Sequence, residues 1–307
     1  MHTTPPHLPP HLPRRWVLGA GVSAVVSVAA TGLTGCGGAH DGPDAPRSAP
    51  LAVPPGVAWV LSSGGPRGFA HVGVLKALHE LGLQPALVVG SSVGALVGGL
   101  YAAGLPMRRI EQLALDVDVM DVVRPQVAGD AWLNASGLVR WFDDLAGQRR
   151  LEQLDTAFAA VALHEVTRQP VAFTHGRAGV AIQAACSIEG RFEPVTILGQ
   201  RYLDADLALP LPARLARSLG ARRVLAVDVS AHEDKAPPGT ERWREADLRK
   251  RALTLPDARS ADLVLHPDIG YYAGMRRAWR EMALAQGYQH TMAQRAQLLA
   301  LHAGAAP

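Results

Sequence analysis

Gly90-Ser91-Ser92-Val93-Gly94 places a serine in a GxSxG frame between an apolar run (residues 86–89) and a small-residue segment (residues 93–103). A nucleophile elbow needs that context: a strand turns sharply into a helix and leaves the middle serine exposed at the bend. The flanking glycines let neighbouring backbone approach. Ser92 also stands at a helix start, where the dipole and free N–H groups favour a developing oxyanion. By itself the pattern also fits a serine that only caps the helix.

Ser63-Gly64-Gly65-Pro66-Arg67-Gly68 follows another apolar run and opens another helix, so its consecutive N–H groups can form an anion nest. Pro66 has no N–H, which leaves Gly64, Gly65, Arg67 and Gly68 as the oxyanion-hole candidates. A nucleotide phosphate loop is the rival, but neither GxGxxG nor a terminal GK[ST] is present. Arg67 itself is open to pairing with a carboxylate, to facing lipid headgroups, or to a structural salt bridge. The third feature is Tyr202-Leu203-Asp204-Ala205-Asp206-Leu207. An aspartate at a strand end takes a serine proton directly if it lies within hydrogen-bond reach. A competing base exists in the order Ser92, Asp228, His266, the chain order of a conventional α/β-hydrolase triad.

The elements that must position these groups alternate. Residues 57–61 and 86–89 read as strands, 67–81 and 93–103 as helices, and this succession implies parallel strands with right-handed crossovers. Residues 106–155 look helical with a break at 134–137. Residues 157–163 are short enough to favour strand, and 171–174 are strand-like. A hairpin follows, with strands at 195–198 and 201–203 about Gly199-Gln200, where Gly199 suits a type II′ turn. Strands at 223–229 and 263–266 flank a polar, Pro-containing loop at 231–245, and helices begin again near Met275.

At the three chemical sites the chain resembles the patatin-like phospholipase family. SGGPRGFAHVGVLKALHELG is similar to its glycine-rich segment and first helix, GSSVG to its elbow, AACSIEGRFEPV to the stretch before its base, and YLDADLALPLP to its Asp-Gly-Gly/Ala segment. The resemblance runs from about residue 57 to 265. It implies an α/β fold of three layers, α/β/α, with a mostly parallel central sheet, and a serine lipid acyl hydrolase (phospholipase or esterase) in which Ser92 is the nucleophile and Asp204 the base. On this pattern residues 64–68 supply the oxyanion hole. Three departures stand out: Ser63 where the first glycine is usual, Ala205 and Asp206 in place of the glycines after the base, and Glu189 in place of a proline. Asp206 adds a like charge that raises the pKa of Asp204. A catalytically degenerate lipid-binding lipoprotein is the non-enzymatic alternative.

The 307 residues are 48% apolar and 19% charged, ordinary globular composition that excludes disorder and collagen-like assembly. Of 30 basic residues, Arg14 and Arg15 lie in an N-terminal segment without acids; the rest nearly balance the 27 acids, and no nucleic-acid partner is expected. Cys36 and Cys186 are too few for a zinc cluster. His71, His79, His164 and His175 look like surface residues with no ligand spacing, so neither metal nor cofactor is expected.

Residues 1–35 read as a signal peptide, with Arg14-Arg15 before an apolar run that starts at Trp16. A transmembrane anchor fits less well, because glycines interrupt the run and no basic flank follows. Leu33-Thr34-Gly35-Cys36 resembles a bacterial lipobox, which implies lipidation at Cys36 and a membrane-tethered protein of the cell envelope. Gly37 after the cysteine favours the outer membrane, and the paired arginines resemble a twin-arginine signal. Residues 36–56, with five prolines, are expected to form an extended tether before a hydrolase domain at 57–307.

Overall fold

The computed structural model describes residues 39–125 and 131–304. The signal peptide, the lipobox and Cys36 therefore lie outside the described residues. In chain order the domain runs β1 (Val57–Leu61), α1 (Phe69–Glu80), β2 (Leu87–Ser91), α2 (Val93–Ala102), α3 (Met107–Asp116) and α4 (Val119–Val122). A small pair, β3 (Arg124–Pro125) and β4 (Leu133–Asn134), precedes α5 (Ser136–Ala146). Then come β5 (Ala157–His164), β6 (Pro170–Phe173), α6 (Ala178–Ala185), β7 (Val195–Ile197), β8 (Gln200–Asp204), α7 (Ala213–Ser218) and β9 (Arg223–Val227). The chain continues through α8 (Glu241–Ser260), β10 (Leu263–Leu265), α9 (Arg277–Ala293) and α10 (Arg295–Ala303).

The main sheet has the order β10-β9-β1-β2-β5-β8-β7, with β6 also paired to β5. From β10 to β5 all pairings are parallel, whereas β6 and β8 run antiparallel to β5, and β7 antiparallel to β8. Alternate residues of β1 feed two separate cores. Val57, Trp59 and Leu61 face one packed with α1, α2, α5 and α6; Ala58 and Val60 face another with α7. A sheet buried on both faces by helices is the three-layer α/β/α arrangement. Its parallel strands bring the segments after β1, β2 and β9 to one edge, the position where open α/β sheets place ligands.

Several expectations need correcting. Residues 40–53 turn at 42–44, run extended from 45 onward, and lie on the domain, not free of it. His40 N donates to Thr196 O at 3.0 Å, Arg47 N donates to His175 O at 3.0 Å, Ala45 is buried, and Leu51 and Val53 pack on the α7-side core. The prolines straighten this stretch, and its apolar side chains still gain by burial. In the β7–β8 hairpin the turn residues are Leu198 and Gly199, with φ 50° and 69°, which is the type I′ pattern and not II′. His71 is fully buried, because α1 is enclosed along most of its length between the sheet and α9. Finally, the polar stretch after residue 231 contains the start of the 20-residue helix α8, whose charged composition hides its role.

Candidate active site

Ser92 follows β2 directly and has φ 54° and ψ −127°, a conformation that a non-glycine residue holds only where the surroundings impose it. The glycines explain how. A Cβ at Gly90 would come 2.4 Å from Gly94 O, and one at Gly94 would come 2.2 Å from Leu61 O. The turn therefore closes only with glycine on both sides. Ser92 O accepts from Ala95 N at 2.8 Å and from Cys186 Sγ at 3.2 Å, which fixes the elbow from α2 and from the end of α6. Burial raises the Cys186 pKa well above its ordinary value, so its thiol stays protonated as a donor.

Asp204 ends β8 and is only 3% exposed. Burial raises its pKa to about 7, a hydrogen-bonding interaction with the Ser92 side chain opposes that rise, and the nearby Asp206 carboxylate adds to it. Asp204 Oδ1 accepts from Asp206 N at 2.8 Å, while Oδ2 has no partner of strict geometry. Ser92 is the hydroxyl facing it. A long or bent contact at this stage is common in free enzymes and tightens with substrate.

The glycine-rich segment forms a single 3₁₀ turn, Gly65–Gly68, after β1. Gly65 has φ 53°, which turns the chain there. Among the described residues the N–H groups of Gly64 and Gly65 have no partner, whereas Arg67 N donates to Gly64 O at 3.1 Å. Arg67 is thus not a free backbone donor. Its side chain donates to Gly270 O at 3.0 Å and to Tyr271 O, and it borders the cavity that holds Asp204. Gly68 serves packing: a Cβ there would come 2.3 Å from Val93 Cγ2.

Two cavities meet at Ser92. One, of about 480 Å³, is the more polar of the two and is lined by Gly64, Gly65, Arg67, Asp204, Asp206 and residues of α8 and the Tyr271-Tyr272 segment. The other, of about 290 Å³, is apolar and runs between α2, α3 and α5, with Leu96, Ile110, Leu113 and Trp141 among its walls. Gly65 and Ile188 border both. Hence the serine stands where an apolar chain and a polar group of one molecule would join.

Asp228 and His266 are engaged elsewhere. Asp228 is 1% exposed and accepts from Ser230 N at 2.9 Å; His266 Nε2 bonds Ser230 O at 3.1 Å, and its ring stacks on His232 with centroids 3.8 Å apart. Neither residue borders a cavity with Ser92. No group of histidine, cysteine and acidic residues suited to a metal occurs among the described residues. Glu189, one of the departures, forms an exposed ion pair with Arg168 at 2.8 Å and leaves the site untouched.

A family model described as patatin-like phospholipase matches residues 59–217, which contain the elbow, the glycine-rich turn and Asp204. The chain belongs to the patatin-like phospholipase family. Among its relatives is an uncharacterized NTE family protein of Mycobacterium tuberculosis, 31% identical over 206 residues that make up 64% of this chain and 56% of that protein. The chain thus spans little more than half of that relative's length. The human patatin-like phospholipase domain-containing protein 6 is 29% identical over 58% of this chain and 14% of its own, and the lysophospholipase NTE1 of Mycosarcoma maydis is 28% identical over 67% and 11%. VipD from Legionella pneumophila shares the patatin fold at a TM-score of 0.54 and 12% identity, covering 84% of this chain and 71% of its own.

Sequence reasoning missed three parts of this patatin site: Lys250 and Trp243 on α8, the Tyr271-Tyr272 segment, and the apolar walls from α3 and α5. Only the last had a signal, since Ile110 and Leu113 keep helical spacing on one face.

Proposed function

We propose that this patatin-like chain is a serine lipid acyl hydrolase that uses a Ser92–Asp204 dyad. The observation that carries the reading is Ser92 itself: a strained elbow serine beside a buried carboxyl, at the junction of an apolar and a polar cavity. In the first step Ser92 Oγ attacks the ester carbonyl carbon as its proton passes to the Asp204 carboxylate. The oxyanion forms opposite the unpartnered N–H groups of Gly64 and Gly65. Collapse of the tetrahedral species breaks the ester C–O bond, and Asp204 returns the proton to the departing alcohol. Water then attacks the acyl-serine with Asp204 again accepting a proton, which restores Ser92. A carboxyl with a pKa of about 7 suits both directions of transfer at neutral pH.

The two cavities favour a phospholipid or lysophospholipid, acyl chain in the apolar one and headgroup in the polar one. The fungal relative's name, lysophospholipase, agrees with that class. We further propose that the chain is exported and anchored through a lipidated Cys36 in the bacterial envelope, at the outer membrane, a reading that rests on Leu33-Thr34-Gly35-Cys36. No helix among the described residues is long and apolar enough to cross a membrane. Metabolic labelling with a palmitate analogue should mark the wild type and miss Cys36→Ser; equal labelling refutes the anchor.

The enzyme reading is tested by incubating the purified chain with a fluorophosphonate and mapping the adduct. Modification of Ser92 is expected. An adduct on another serine refutes the elbow assignment, and no adduct favours the degenerate lipid binder.

A further inference from the structure

Two of the departures from the family pattern, Ser63 and Asp206, turn out to be one feature. Ser63 Oγ donates to Asp206 Oδ1, and Lys250 Nζ from α8 donates both to that oxygen and, at 2.9 Å, to Ser63 Oγ. Glycine at either position would have no side chain to join this cluster. The cluster also touches both halves of the chemistry: Ser63 immediately precedes Gly64, and Asp206 N donates to Asp204 Oδ1 at 2.8 Å.

Helix α8 would not hold this place on apolar packing alone. Residues 241–246, 248 and 249 are exposed, and only Thr254 and Asp257, in the C-terminal half, are buried. Asp257 is ion-paired to Arg214 at 3.0 Å. The helix nevertheless walls the polar cavity from Trp243 to Leu253, with Ala246, Asp247 and Lys250 at helical spacing between them and Arg249 and Arg251 beside them. Its ties to the site are Lys250 on Asp206 and the Tyr271 hydroxyl on Asp247 at 2.5 Å.

We propose that Lys250 is a positioning residue: it closes a bracket with Asp206 and Ser63 that neutralises the carboxylate beside the base and holds α8, the oxyanion turn and the Asp204 turn together. The role rests on the dyad reading above. The groups facing Asp204 are Ser92 from the elbow, Cys186 from the end of α6, Asp206 from its own turn and Lys250 from α8. Of these, Asp206 disfavours the Asp204 carboxylate and Lys250 favours it. Burial pushes the Asp206 pKa upward, and Lys250 and Ser63 more than reverse this, so Asp206 is a charged neighbour whose ion-pair partner is Lys250. The family's glycines need no such compensation. In this chain the acid and the lysine form a self-balancing pair.

The test is kcat/KM on a soluble ester against pH for Lys250→Met, Asp206→Asn, the double variant and Lys250→Arg. Lys250→Met should move the acid limb up by roughly one pH unit, a loss of about fivefold near pH 7 that approaches tenfold at lower pH and recovers at higher pH. Asp206→Asn should move it down. The double variant should return to within a few-fold of wild type, and Lys250→Arg should stay close to it. A merely structural lysine would lower activity at every pH and leave the limb in place. A folded Lys250→Met with an unshifted limb, or a double variant as impaired as Lys250→Met, overturns the proposal. If Lys250→Met does not fold, Asp206→Asn decides, and an unmoved limb there overturns it. Failure of the dyad reading looks different: Asp204→Asn would keep turnover, and both proposals would fall together.

Discussion

Two buried aspartates end strands at the same edge of the sheet, and they have opposite surroundings. Asp204 closes β8, borders the polar cavity, faces Ser92 and keeps one oxygen without a strict hydrogen bond. Asp228 follows β9, accepts from Ser230 N, and lies beside His71, whose Nε2 donates to Ser62 O at 2.9 Å. His266, the other half of the rival triad, is occupied by Ser230 O and the His232 ring. Burial at a strand end is therefore not what makes a carboxyl reactive. A cavity on one side and a strained serine within reach are what distinguish Asp204.

The strongest way to break this comparison is to remove the serine. Ser92→Ala should reduce kcat on a soluble ester by three orders of magnitude or more, as loss of a nucleophile does. Ser91→Ala should be far milder, since Ser91 Oγ is buried, has no partner and borders neither cavity. Equal losses in the two variants would reopen the choice of nucleophile.

The next variants set the two aspartates against each other. Asp204→Asn should lose about 10³-fold or more in kcat/KM, while Asp228→Asn and His266→Ala should keep most activity, with circular dichroism to verify folding. The acid limb of the pH profile alone cannot separate these bases. From sequence, an aspartate base predicts activity persisting into moderate acid unless Asp206 intervenes, and a histidine predicts loss near 6.5. Burial brings Asp204 to about 7, inside the range that an ordinary histidine base would occupy. An inactive, folded His266→Ala with an active Asp204→Asn would establish the triad in place of the dyad.

The nucleophile, the glycine-rich turn and Asp204 were legible because each sits in a short segment whose chemistry is local: glycines forced by close approach, an aspartate at the end of a strand. The parallel half of the sheet was legible for the same reason, as short apolar runs alternating with helices. What was hidden depends on contacts distant in sequence. Lys250 is 44 residues from the Asp206 that it pairs with, on a helix whose first residues, 241–245, read as polar loop. His71 read as a surface residue because a polar side chain on a helix usually is one, and only the docking of α9 buries it. The Leu198-Gly199 turn was displaced by one residue because leucine is a poor indicator of positive φ.

Stability against pH sharpens the comparison further, because the two neighbourhoods titrate in opposite senses. Asp204 has its folded pKa raised from 3.8 to about 7, so its contribution favours the fold below pH 3.8 and is lost as pH rises through about 7. His71 has its pKa lowered by burial from 6.5 to about 4, so its contribution favours the fold above pH 6.5 and is lost as pH falls through about 4. Between these limits they oppose each other. Asp204→Asn should therefore stabilise the protein by roughly 4 kcal/mol at pH 8 and by almost nothing below pH 4, as measured by chemical denaturation across pH. A gain of equal size at both pH values would mean that the buried carboxylate is not its cause.

The smallest effect concerns the hairpin that delivers Asp204. Leu198 has φ 50° and is 52% exposed, so its apolar side chain gains little there while its backbone sits in a region that asparagine tolerates better. Leu198→Asn creates Asn-Gly, the preferred type I′ pair, and should raise stability by about 0.5–1 kcal/mol in denaturant titrations. The turn and Asp204 lie at opposite ends of β8, and the register is already fixed by Val195 against Tyr202 and by Ala162 against Asp204. Catalysis should consequently be unchanged: kcat/KM on a soluble ester should match wild type within twofold. A stabilised variant with altered kcat/KM would show that Asp204 is positioned through the hairpin turn as well as through β5, and that its placement, unlike that of Asp228 on the parallel β9, depends on a local loop.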